Sequence, residues 1–161
     1  MCGIYGYFGN GNSGKLNGMM AALTQRGPDA QGEEVCNDNG YALGHTRLSI
    51  IDLSDLANQP MTSFDGLVKI VFNGEIYNYR ELKKVLINHG YTFNTESDTE
   101  VILNAYIEYG ENLENVLEGM WAFAIFDVTK NNLYLSRDRF GEKPLYYSRI
   151  NKNFYFGSEI K

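Results

Sequence analysis

Only two cysteines, Cys2 and Cys36, occur in the chain, which excludes a disulfide-stapled scaffold. No Cys/His spacing fits a zinc site and no acidic stretch fits a calcium loop, so no metal is expected. Basic residues are scarce: 14 Lys and Arg stand against 20 Asp and Glu, a net charge of −6. That balance argues against nucleic acid or an anionic membrane surface as a main partner. No apolar run approaches the roughly 20 residues that a membrane-spanning helix needs. The amino terminus lacks the charged-then-apolar pattern of a secretory leader, and the expectation is a cytoplasmic protein with both cysteines as thiols. The glycine-rich stretch at 9–14 has no lysine to hold a phosphate and reads as a turn. Linkers, repeats and low-complexity tracts are also missing, so residues 1–161 are expected to form one domain.

What is present begins with Cys2, directly behind Met1 and followed by Gly3-Ile4. Removal of Met1 would leave a thiol and a free α-amine on one residue, a nucleophile and a base together. An α-amino group titrates at roughly 7.7–8.0, close enough to neutral pH to take and return a proton. Cysteine at position 2 favours that removal, and the mature chain is expected to start there. Alone, such a cysteine could equally be a residue of a frayed end.

The patterning predicts an α+β chain. MCGIYGYFG opens as a strand. Ser13 caps a helix running through Leu16, Met19, Met20 and Leu23 and ending before Gly27-Pro28. Tyr41 to Ile51 and Leu67 to Phe72 read as strands, the second running into Asn73-Gly74. Asn78 with Glu81, and Ser97 with Glu100, mark two helix starts. Their apolar stripes, Leu82, Val85 and Leu86, then Val101, Ile102, Ala105 and Tyr106, end at Gly90 and Gly110. The last third reads as strands, Trp121–Val128, Leu133–Asp138, Tyr146–Arg149 and Phe154–Gly157, with Trp121, Phe123, Phe126, Tyr134, Tyr146 and Tyr147 in the sheet core.

Five segments together carry a family signal: MCGI, QRGPDA (Gln25 to Ala30), GHTRLSIID around Arg47, VFNGEIYNY around Asn73-Gly74-Glu75, and ESDTEV around Asp98. In them the chain resembles the glutamine amidotransferase type-2 domain of glutamine-hydrolysing asparagine synthetases, along its whole length. The resemblance implies a four-layer αββα sandwich of the N-terminal-nucleophile hydrolase fold. It also implies hydrolysis of L-glutamine to L-glutamate and ammonia through a γ-glutamyl thioester on Cys2. By the same resemblance, Asn73 and Gly74 form the oxyanion hole. Arg47, with the backbone of Leu48, Ser49, Ile50 and Ile51, holds the substrate carboxylate, and Glu75 and Asp98 hold its ammonium. Arg26-Gly27-Pro28-Asp29 resembles a loop that closes over substrate and is given no catalytic residue. His45 and His89 read as structural.

Asparagine synthetases carry a second, ATP-dependent domain that receives the ammonia. No SGG-type pyrophosphate loop occurs here, so ATP and Mg are expected only for that absent domain, and no cofactor for this one. The expected partners are L-glutamine and a synthetase domain or subunit, with RDRFGEKPLYY as a segment that could face it. A homodimer is allowed, the sequence giving no oligomeric state. Two alternatives stay open: a catalytically silent glutamine-binding or interaction domain, and an amidotransferase serving a sugar or secondary-metabolite acceptor.

Overall fold

Alternation along the strand Val68–Ile76 shows how the layers arise. Val68, Ile70, Phe72 and Ile76 pack on one face with two helices, whereas Val71 packs on the other against a second sheet. A strand apolar on both faces is one covered on both sides. The computed structural model describes residues 1–9, 13–48 and 54–160. Within them the strands are β1 (Gly3–Phe8), β2 (Ala30–Cys36), β3 (Tyr41–Arg47), β4 (Met61–Thr62), β5 (Val68–Ile76), β6 (Gly119–Asp127), β7 (Asn132–Arg137), β8 (Tyr146–Ile150) and β9 (Asn153–Gly157). The helices are α1 (Leu16–Leu23), α2 (Tyr79–Asn88) and α3 (Asp98–Tyr109).

Two antiparallel sheets result, one ordered β2-β3-β1-β9-β8 and the other β4-β5-β6-β7. Three apolar layers hold them. Leu16 and Leu23 of α1 pack on Tyr5, Tyr7 and Tyr155 of the first sheet. Ile4, Leu43 and Phe156 of that sheet meet Val71, Ala124 and Phe126 of the second. Leu82 and Leu86 of α2 and Val101, Ile102 and Tyr106 of α3 cover the second sheet's far face. The order helix, sheet, sheet, helices is the expected αββα sandwich. Among the described residues, no helix is long and apolar enough to cross a membrane.

Several local expectations are corrected. A short 3-10 turn fills Ser13–Lys15, and α1 proper starts at Leu16 with Lys15 at its cap, which makes no side-chain capping bond. Asn78 precedes α2 without capping it, because its amide instead donates to Val116 O and accepts from Glu118 N–H. Ser97 does cap α3, accepting from Thr99 N–H at 3.1 Å. Glu100, however, reaches past Ser97 to the N–H groups of Asn94 and Thr95. The strand from Val68 passes straight through Asn73-Gly74, since both stay paired with β6. Tyr146 and Tyr147 are not core: β8 is an exposed sheet edge, and Tyr147 is 72% exposed. The strand β2 has no counterpart in the sequence pattern, because AQGEEVC has few apolar residues; it too is an edge, alternating half-buried and exposed.

Candidate active site

The register of the first sheet brings the amino terminus to Arg47. Strands β1 and β3 run antiparallel with Gly3 opposite Thr46, so Cys2 and Leu48 leave the sheet at the same end. There Leu48 N–H donates to Cys2 Sγ at 3.3 Å, and Sγ lies 3.6 Å from Leu48 O. Arg26 Nε donates to the Cys2 carbonyl at 3.0 Å while its Nη1 pairs with Glu159 at 3.2 Å. Arg26 is thus an anchor for Cys2 that the sequence, showing only a loop ahead of Gly-Pro, did not disclose.

The facing sheet supplies Asn73, Gly74 and Glu75. β4 pairs with β5 only at Lys69 and Ile70, leaving the rest of that edge open. Phe72 N–H donates to Gln59 Oε1 at 2.6 Å and Ile76 N–H to Asp98 Oδ2 at 3.1 Å, both on the open side. Backbone N–H groups two residues apart point the same way, so Gly74 N–H lies between these two, directed off the same edge. Gly74 can only be glycine: a Cβ there would fall 2.2 Å from Met120 O. Asn73 sits on the opposite face from Phe72, toward the first sheet. It is 3% exposed, and its Nδ2 has no hydrogen-bond partner among the described residues. Buried amide donors are rarely left so.

Gln59 is a second residue that the sequence did not single out. Its amide spans from Phe72 N–H to Thr99 Oγ1 at 3.2 Å, tying the edge of β5 to the start of α3. That places Asp98, the first residue of α3, against Ile76. Burial pushes the Asp98 carboxyl from 3.8 up to about 6, against the N–H bond from Ile76 that favours ionisation, with Glu75 adding a like charge. His45 is displaced the other way: burial lowers it to about 3, and the ring is neutral near pH 7. Its Nε2 lies 3.2 Å from Phe72 O, linking β3 to β5 across the two sheets. Arg47, 7% exposed, is braced by Nη1 donating to Ser54 O at 3.0 Å and Asn58 Oδ1 at 2.6 Å. His89, on the surface, meets Glu108 at 2.8 Å.

One cavity of about 120 Å³ is lined by Cys2, Arg47, Leu48, Asn73, Gly74, Glu75 and Asp98. These are the described residues that the sequence singled out; Ser49, Ile50 and Ile51 lie outside the described residues. The cavity therefore sets a thiol, an amide donor with no partner among the described residues, two cations (Arg47 and Lys143) and two acids around one small space. Such a space suits a polar molecule with a charge at each end. Among the described residues, no group of three His, Cys, Asp or Glu side chains is placed to hold a metal.

The chain is 44% identical to asparagine synthetase [glutamine-hydrolyzing] 1 of Bacillus subtilis, over all of this chain and 26% of that protein. It is 41% identical to putative asparagine synthetase [glutamine-hydrolyzing] 2 of Methanocaldococcus jannaschii, again over its full length and 34% of the relative. Amidase chry2 of Gibberella zeae is 35% identical over the whole chain and 26% of its own length. The chain thus spans about a quarter to a third of these relatives. In fold it is similar to the glutamine phosphoribosylpyrophosphate amidotransferase of B. subtilis, with a TM-score of 0.79 over 98% of this chain and 42% of that one at 22% identity. The family model of the glutamine amidotransferase domain matches residues 1–161, and the chain belongs to that family.

Proposed function

We propose that residues 1–161 form one glutaminase domain, which hydrolyses L-glutamine to L-glutamate and ammonia and passes the ammonia to an asparagine-synthetase-like acceptor. The observation that carries this reading is the buried Asn73 Nδ2, without a partner among the described residues, in the same cavity as Cys2. A donor without an acceptor is prepared for an oxygen that the substrate brings.

In this reading Met1 is removed and the Cys2 amine takes the thiol proton. Sγ adds to the side-chain amide carbon of glutamine, and the oxygen gathers charge toward Asn73 Nδ2 and Gly74 N–H. The C–N bond then breaks, the amine returns its proton to the departing nitrogen, and ammonia leaves a γ-glutamyl thioester. Water, deprotonated by the same amine, adds to the thioester. The C–S bond breaks, releasing glutamate and restoring the thiol. Arg47 takes the substrate α-carboxylate, a task that suits a planar guanidinium, together with the backbone of 48–51. Glu75 and Asp98 take the ammonium.

The 41–44% identity along the whole of this chain to part of two glutamine-hydrolysing asparagine synthetases supports this choice of donor and acceptor. Replacing the nucleophile tests it: Cys2→Ala should abolish ammonia release from glutamine while leaving the thermal transition in place. Retained turnover in that variant would refute the mechanism.

A further inference from the structure

Lys143 is a buried cation that the mechanism above leaves unused. It is 9% exposed and lines the Cys2 cavity. Its Nζ lies 3.8 Å from Met1 Sδ, and among the described residues it has no ion-pair partner. The loop before it is fastened from two sides. The Asp138 carboxylate accepts from the N–H groups of Phe140, Glu142 and Lys143 at 2.9–3.1 Å. Arg137 donates through Nε to Lys143 O at 2.7 Å and through Nη2 to Gly141 O at 2.6 Å. Burial opposes ionisation of Asp138, but backbone donors, led by Lys143 N–H, outweigh it and hold the carboxyl below the usual range. Lys143 is therefore presented to the cavity by backbone bonds that do not involve its own side chain.

An ammonium buried without a paired anion is costly, and this one shares a small cavity with Cys2, faced there by Arg47 and neutral His45 from β3, Glu75 from β5 and Asp98 from α3, with Arg26 on the Cys2 carbonyl. We propose that Lys143 is a positioning residue acting through Cys2: once Met1 is gone, its charge keeps the Cys2 amine neutral and favours the thiolate. Both effects have one sign, since a nearby cation disfavours a second cation and favours an anion. This inference rests on the glutaminase reading.

The test is the pH dependence of kcat/KM for glutamine, and of inactivation by 6-diazo-5-oxo-norleucine, across about pH 5.5 to 9. Lys143→Met keeps the stem and loses the charge. It should move the acidic limb of both profiles upward by about one pH unit, a tenfold loss of rate below the limb. Lys143→Arg should restore the original limb. Lys143→Gln provides a second neutral variant, and a thermal melt of each establishes folding. A folded neutral variant whose limb is unmoved overturns the proposal, and a raised KM alongside would make Lys143 a substrate contact instead. Failure of wild type itself to hydrolyse glutamine or take up the inhibitor would refute the underlying reading, a result distinct from an unmoved limb.

Discussion

Asn73 and Asp98 are both buried polar groups held in states that the protein around them does not favour. An unsatisfied buried donor costs about 1–3 kcal/mol, and Asn73 Nδ2 has no partner among the described residues. If that donor awaits an oxyanion, Asn73→Ala should lower kcat about 10²–10³-fold with little change in KM, read from steady-state ammonia release. A raised KM with kcat retained would move Asn73 to ground-state binding. Asp98 carries the second imbalance. Its folded-state pKa of about 6 lies above its ordinary 3.8, so its ionised form is disfavoured by folding. This group thus costs stability above pH 6, and the cost fades as pH falls toward 4. Only the ionised form binds an ammonium well, so KM for glutamine should rise as pH drops through about 6. Asp98→Asn should melt higher than wild type near pH 8, with the gap closing toward pH 4, while binding glutamine poorly. Equal melting at both pH values would contradict this assignment.

At the level of elements, the site depends on how the start of α3 is fixed to the open edge of β5. Glu100 accepts from Asn94 N–H, Thr95 N–H and Thr95 Oγ1, the last two at 2.7 and 2.6 Å. Glu100→Ala leaves those donors without an acceptor. It should destabilise the fold by about 1–3 kcal/mol in a denaturant titration and raise KM by loosening Asp98; an unchanged midpoint would show the turn to be held otherwise. Much of this was legible in the sequence. Ser97 and Glu100 announced the helix start, and Val101, Ile102, Ala105 and Tyr106 its buried face. What Glu100 bonds was not legible, because the turn at 94–95 folds back beneath it and sequence spacing does not show that return. Asn78 misled for a related reason: a local capping signal lost to partners nearly 40 residues away. The edge strand β2 was hard to read because a half-exposed strand needs little apolar alternation, whereas β8 was legible as a strand but not as an exposed edge.

The whole molecule explains why so scattered a set of residues forms one site. Cys2 and Arg47 come from one sheet, Asn73, Gly74 and Glu75 from the other, and Asp98 from the helix layer beyond. The stacking of layers sets them around a single cavity. Residue types and motifs named these positions through family resemblance, but composition and periodicity would have given only an α+β chain. Arg26 and Gln59 escaped because their roles are side-chain bonds to distant backbone, with no local pattern. At the same scale, the chain covers about a quarter of the length of its B. subtilis relative, so ammonia transfer is a property to be tested with an acceptor added. The most direct test of the central claim is the intact mass of the purified chain before and after incubation with 6-diazo-5-oxo-norleucine. The account predicts a chain lacking Met1 that gains one adduct, located on Cys2. A chain that keeps Met1, or a processed chain that stays unlabelled at saturating inhibitor, would contradict it.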